Sequence, residues 1–168
     1  EIVQIGSAIG REFSYELLSA VAPMSKVDLD EALERLTESG LAFRRGTVPN
    51  AVYTFKHALV QDAAYDSLLK SRREALHGEI ARVIEERFPE TKDHTPELLA
   101  HHLTAAGLIE PAIEYWSKAG ELARNRVALA EAISHLNKGL ELVGALPASP
   151  QRDAKELAGW LALAALCH

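Results

Sequence analysis

The residue most suited to chemistry in this chain is His57, because of where it lies in the pattern of side chains. Residues 52–57 alternate between apolar and polar side chains as a strand does, and a helical apolar stripe begins at Ala58. A histidine side chain can donate or accept a hydrogen bond, so one held at such a junction could contact a ligand. The alternative is a buried structural histidine that bonds a backbone carbonyl.

The other histidines do not predict a metal site. His101 and His102 are adjacent, so on a helix they point about 100° apart. No H-E-x-x-H motif and no cysteine pair accompanies them. His77 and His135 are expected at contacts between helices.

The sequence contains no catalytic motif of the common types. Gly6 and Gly10 are too closely spaced for a P-loop, and no Lys-Ser or Lys-Thr pair follows them. Ser7 does not fit the G-x-S-x-G pattern of a hydrolase. We therefore expect that this segment is not an enzyme by itself, with no catalytic residue, no metal and no cofactor of its own.

Size and charge limit the classes of partner. The chain has 168 residues and a net charge of −6, which does not favour long-range attraction to nucleic acid or to an anionic membrane. No apolar run is long enough to span a bilayer. One cysteine, Cys167, fits a reducing compartment, and we expect a cytoplasmic protein. The start at Glu1, inside an apolar pattern, suggests a piece of a longer protein.

The elements that position His57 form a predicted domain over residues 1–70. Three helices are expected: one over 1–9, a second that begins after the capping residue Ser14, and a third over 26–39 that begins after Ser25. A two-stranded hairpin over 41–45 and 52–57 follows them. This order is typical of a winged helix. The helix over 26–39 would read DNA in such a domain, but acids dominate its surface, namely Asp28, Asp30, Glu31, Glu34 and Glu38.

The rest of the chain predicts helical repeats. Residues 71–93 form an expected connecting helix and loop, with PETKDHT as the loop, and Thr95 with Pro96 begins the next helix. Over 94–168 the apolar stripes match the 34-residue tetratricopeptide pattern in two different phases, so the phase stays open. The fold class expected is mainly α: a winged helix followed by an α-solenoid of tetratricopeptide-like hairpins.

Four separated motifs carry a resemblance to a known family. They occur in the order IGREF (9–13), LTESGL (36–41), FKHALVQDAAY (55–65) and REALH (73–77). Together they resemble the region that follows the ATPase domain in bacterial STAND-type regulators, especially predicted ATPases of the adenylate/guanylate cyclase type. The resemblance covers about residues 2–143. It implies a winged-helix lid on an upstream ATPase domain, and a parent protein that binds ATP or ADP.

The third motif also resembles the M-H-D-L-V-x-D-L-A motif of NB-ARC winged helices. In that family the histidine reaches the β-phosphate of bound ADP and holds the off state. The matching position is His57, and the resemblance implies a phosphate sensor that works only with the upstream domain. The chain differs from the family motif where Lys56 replaces Met and Ala58 replaces Asp. Lys56 could itself face phosphate.

The last predicted helix, over 151–168, is apolar on more than one face. The residues Leu157, Trp160, Leu161 and Ala164 share one face at i, i+3, i+4 and i+7 spacing. A solenoid helix buries such a face against the next repeat, so we expect this one to bind a protein partner or a second copy of the chain.

These patterns favour a regulatory and protein-interaction module that couples an upstream ATPase to partner sensing. Two alternatives remain: a winged-helix DNA-binding transcription regulator, and a purely structural helical scaffold in which His57 has no ligand role. No sequence motif identifies the partner, the signal or the oligomeric state.

Overall fold

The computed structural model describes residues 1–166, which are mainly helical with one small sheet. The elements in chain order are α1 Ile2–Ile9, β1 Glu12–Ser14, α2 Tyr15–Val21, α3 Lys26–Glu38, β2 Ala42–Arg45, β3 Val52–Phe55, α4 Ala58–Asp66, α5 Lys70–Arg87, α6 Pro89–His94, α7 Pro96–Ala105, α8 Ile109–Asn125, α9 Leu129–Ala145 and α10 Pro150–Ala164. Cys167 and His168, the end of the helix expected over 151–168, lie outside the described residues.

The described chain divides into two compact units, Glu1–Val83 and a second from Ile84 onward. The division falls within α5, in the segment 71–93 that the sequence assigns to a connector. This helix buries Leu76, Ile80, Val83 and Ile84.

The first unit contains a three-stranded antiparallel sheet, which corrects the expected two-stranded hairpin. The strand order is β1-β3-β2, so β3 is central and Phe13 of β1 pairs with Tyr53 of β3. The rings of these two residues stack with centroids 5.7 Å apart. The segment of β1 was missed because three residues are too few to show an alternating pattern.

Two helices of the first unit begin at the serine caps that the sequence predicts. Ser14 Oγ accepts a hydrogen bond from Leu17 N at 3.1 Å, and Ser25 Oγ accepts one from Asp28 N at 3.2 Å. Such caps satisfy amide groups that have no partner within the helix. The apolar face of α3 packs inward through Leu29, Leu33 and Leu36.

Two features at the start of the second unit differ from the prediction. The segment expected as a loop is the short helix α6, which starts with Pro89 at a position that suits proline. Thr95 does not cap α7 with its side chain, because its hydroxyl donates to the carbonyl of Thr91 at 2.8 Å. The sequence did not predict helix α6, because the segment PETKDHT consists mostly of polar residues.

Helices α7, α8 and α9 each pack on the helix that follows in the chain. Helix α8 has a neighbour on each side and buries residues that include Ala112, Trp116 and Ala119. The buried residues of α9 are small or aliphatic, among them Ala132 and Val143. Within residues 1–166, no helix has the length and apolar character that crossing a membrane requires.

Candidate functional site

The predicted site residue His57 lies at the end of the central strand. The preceding Phe55 is fully buried, and its amide donates to Arg11 O at 3.0 Å. Strand pairing continues to Lys56, whose amide donates to Leu41 O at 2.9 Å. His57 then has extended backbone angles and precedes the first turn of α4, with no side-chain cap hydrogen bond. Its side chain is exposed, so the alternative of a buried structural histidine is wrong.

Lys56 lies beside an exposed aromatic ring. Its Nζ is 5.6 Å from the ring centroid of Phe43, which is 59% exposed on β2. The cation–π contact and the alkyl stem hold the lysine along the outer face of the sheet. Leu59, in the first turn of α4, is 79% exposed. We call these four exposed residues, Phe43, Lys56, His57 and Leu59, the junction surface.

Helix α4 has no buried residue, although its sequence predicts an apolar stripe. Hydrogen bonds join α4 to α1. Gln61 Nε2 of α4 donates to Ser7 O of α1 at 3.3 Å. Gln4 Nε2 of α1 donates at 2.9 Å to Ser67 Oγ, which lies just after the end of α4. The stripe residue Ala63 is exposed. Helix α4 is therefore a surface element, and its start carries the junction surface.

A cluster of polar side chains fixes the joint between α4 and α5. Tyr65 Oη and His77 Nε2 are hydrogen bonded at 2.9 Å, and His77 is almost fully buried. The guanidinium carbon of Arg73 lies 4.6 Å from the Tyr65 ring centroid. Arg73 also donates to Leu68 O and pairs with Asp66 at 3.3 Å. The sequence predicted that His77 lies at a contact between helices, but it did not predict this cluster. The REALH motif, which places Arg73 four residues before His77, was the only sequence signal for the cluster.

The exposed side of α3 is acidic, as the sequence predicts. All five acids of this helix are exposed. Asp30 accepts a hydrogen bond from Tyr15 Oη at 2.7 Å. Burial, followed by the interaction with Asp30, raises the pKa of Tyr15 to about 12. This surface repels the phosphates of a DNA duplex.

Helix α10 carries the predicted partner-binding residues on its exposed side. Leu157, Trp160 and Leu161 are 60%, 57% and 61% exposed, and Ala164 is exposed as well. The opposite side of the helix approaches α9 closely at Gly159, where an added Cβ would lie 2.6 Å from Leu140 Cδ2. One side of α10 is therefore packed, and the other presents an apolar strip to solvent.

Three described histidines of the second unit, His101, His102 and His135, make ring contacts. The rings of His101 and His102 have centroids 5.4 Å apart, and His135 stacks on Trp116. No group of three or more His, Cys, Asp or Glu among residues 1–166 has the geometry to hold a metal ion.

Comparison with known proteins gives one informative relative. No family model matches the chain, and no solved structure matches it. It is 29% identical over 167 residues to an uncharacterized protein of Rhizobium meliloti (strain 1021). The match covers 99% of this chain but only 16% of that protein. The chain thus spans about a sixth of the length of this relative.

Proposed function

We propose that this chain is a non-catalytic regulatory and protein-interaction module of a signal-transducing ATPase of the adenylate/guanylate cyclase type, acting in the cytoplasm. In this proposal the first unit is a winged-helix lid on an upstream ATPase domain. The second unit begins an α-solenoid of tetratricopeptide-like hairpins that senses a protein partner. ATP or ADP binds to the parent protein rather than to this segment.

The order of the elements supports the winged-helix part of the proposal. Helix, strand, helix, helix, strand and strand follow one another along the first unit, and the central strand of the sheet is its last. Winged helices share this arrangement, in which a hairpin forms the wing. For the second part, successive packing of α7 to α10 on chain neighbours is what a helical solenoid requires.

The exposure of the junction surface is the observation that carries the proposal. Lys56, His57 and Leu59 are exposed at neighbouring positions in the chain, where β3 gives way to the first turn of α4, and Lys56 contacts the exposed ring of Phe43. Cationic side chains and a helix start suit a phosphate group, while exposed apolar side chains suit a protein surface. A nucleotide held by a neighbouring domain offers both kinds of contact.

The mechanism is a shift of population between two states of the lid. With ADP bound upstream, His57 donates to the β-phosphate and the lid stays docked. In this proposal the additional γ-phosphate of ATP displaces His57 from the β-phosphate, so the lid undocks and the repeats become accessible to the partner. A scaffold would lack this dependence on nucleotide, and a DNA-binding regulator would need a basic surface on α3.

Docking of the lid is tested by hydrogen exchange in the full-length protein that carries this segment. We expect the amides of residues 56–66 to be more protected with ADP bound than with ATP bound. Leu59→Asp should abolish the difference by placing a charge in the interface, whereas Leu69→Asp, at another exposed leucine, serves as the matched control. Equal protection of these amides in the ADP-bound and ATP-bound states would contradict the docking of the lid.

A further inference from the structure

Helix α4 is the least buried helix of the first unit. None of its nine residues is buried in the described chain, whereas α1, α2 and α3 each place several residues in the core. A helix of this length rarely persists in water by itself, because isolated helices shorter than about 12–15 residues are marginal. The helical state of α4 therefore depends on the contacts that hold it in place.

The contacts between α4 and α1 are weak. Gln61 Nε2 donates to Ser7 O over 3.3 Å, which is longer than the usual distance of about 2.9–3.0 Å. The second hydrogen bond, from Gln4 Nε2 to Ser67 Oγ, is exposed to water. No residue of α4 adds a fully buried apolar contact within the described chain. Contacts of this kind can break without opening the core of the unit.

The chain is fixed on both sides of α4. Before the helix, Phe55 at the end of β3 is fully buried, and its amide donates to Arg11 O at 3.0 Å. After the helix, Leu68 is buried, and its carbonyl accepts a hydrogen bond from Arg73 Nε at 3.0 Å. Movement of α4 is therefore confined between two anchored points.

The end of α4 is tied to a buried part of α5. Tyr65 Oη and His77 Nε2 are hydrogen bonded at 2.9 Å, and His77 is almost fully buried. The guanidinium of Arg73 also lies over the Tyr65 ring. These contacts fix the last turn of the helix, so the residues before Tyr65 are the loosely held ones. We call residues 56–64 the strap.

We propose that the strap unwinds from α1 as one unit, while the strands and the other helices of the first unit stay folded. Because α4 is not stable in isolation, leaving α1 and losing helical structure are one event. The strap includes Lys56, His57 and Leu59 of the junction surface. A domain that docks on this surface binds the closed form and shifts the population towards it.

The regulatory meaning of the strap rests on the proposed function, but the opening itself does not. Opening is a property of the chain alone, without ADP and without an upstream domain. Absence of opening in the chain alone overturns the strap and leaves the lid standing. Protection that does not depend on the nucleotide in the full-length protein does the reverse.

The test is native-state hydrogen exchange of the whole chain in increasing low concentrations of urea. We expect the amides of residues 62–66 to share one opening constant, at least about tenfold larger than that of the amides of residues 31–38 in α3. Urea should change it little, because local opening exposes little surface. Exchange that is graded from one end of α4, as in fraying, or exchange with the rate and urea dependence of α3, would overturn the strap.

A pair of variants on α4 tests the contact that closes the strap. Gln61→Ala removes the hydrogen bond to Ser7 O and should raise the opening constant about fivefold, with α3 unchanged. Alanine is the better helix former, so helix propensity alone would act in the opposite direction. Asp62→Ala, at the adjacent exposed position, is the control and should not raise the constant. An equal effect of the two variants, or faster exchange that extends to α3, would contradict the proposal.

Discussion

The ammonium nitrogen of Lys56 lies 5.6 Å from the ring centroid of Phe43, on the exposed face of the sheet. Lys56 immediately precedes His57 in the chain, at the point where β3 has ended and α4 is about to begin. A lysine that follows a buried strand residue would otherwise extend freely into solvent. The aromatic ring keeps the cation on the junction surface, where the proposed phosphate contact needs it.

Val127 occupies a left-handed backbone conformation that disfavours a β-branched side chain. Its φ is 62°, and the residue is 79% exposed in the turn between α8 and α9. Gly107 holds the corresponding position after α7, with φ of 75°. We expect Val127→Gly to stabilise the chain by about 1 kcal/mol, because removing Cβ relieves more strain than the added backbone entropy costs.

Urea unfolding of Val127→Gly measures this gain, and Val127→Ala is the control that keeps Cβ and so should gain less. A rise in melting temperature of about 2–4 °C should accompany a gain of that size. A loss of stability in the glycine variant would show that the turn is not strained.

The sequence predicted the local features of the fold well. The caps at Ser14 and Ser25 depend on residues close by in the chain, and both are confirmed. Strand β1 was missed because its partner lies far along the chain, as Glu12 pairs with Thr54. No local pattern carries a contact of that range.

The candidate sites were only partly accessible from sequence. The position of His57 between strand and helix was predicted from the change of period, but its exposure was not. The Tyr65–His77 bond and the stacking of His135 on Trp116 each join residues from different helices. Such pairs depend on how the helices pack, which the apolar stripes alone do not specify.

Buried tyrosines make the stability of the chain sensitive to alkaline pH. Burial is the main cause that raises the pKa of Tyr15 and of Tyr115 to about 12, from an ordinary 10.0. The folded state holds the phenolic proton more tightly than the unfolded state. Their contribution is therefore complete below pH 10 and is lost as the pH rises to about 12.

Denaturant unfolding at pH 9, 10 and 11 measures the effect. Tyr15→Phe should cost about 1 kcal/mol at pH 9 through the lost hydrogen bond to Asp30, and it should reduce the fall at high pH. Tyr65→Phe, which changes a partly exposed phenol, is the comparison. A fall of the same size in Tyr15→Phe and in the unmodified chain would contradict the assignment.

The exposed strip on α10 predicts association with a second copy or with a partner. Trp160→Glu places a charge in the centre of the strip and should weaken any self-association seen by sedimentation at high concentration. Gln151→Glu adds the same charge to an exposed site of the same helix away from the strip, and it should have no effect. A strict monomer at high concentration, with α10 well protected from hydrogen exchange, would show that the strip needs no second copy.

The acidic face of α3 predicts that the chain does not bind DNA. Because phosphate contacts supply most non-specific affinity, we expect no duplex retardation even at about 50 mM salt. Lys26→Glu should change nothing, since there is no contact to lose. Tight binding that weakens strongly between about 50 and 200 mM salt would instead support the DNA-binding alternative.

The isolated chain is expected to bind neither ATP nor ADP, because its residues supply one side of a nucleotide site at most. Calorimetry with each nucleotide at millimolar concentration should give no saturable heat. This result is needed before any effect of His57 can be assigned to a site shared with another domain.

The central claim is that His57 senses the β-phosphate of ADP held by an upstream domain. Its most direct test is the ADP affinity of the full-length protein, with His57→Ala compared against His94→Ala, another exposed histidine. We expect His57→Ala to weaken ADP binding about tenfold or more, since a charge-assisted hydrogen bond is lost, and His94→Ala to leave it unchanged. An ADP affinity that is the same in the His57→Ala variant and in the unmodified protein would contradict the account.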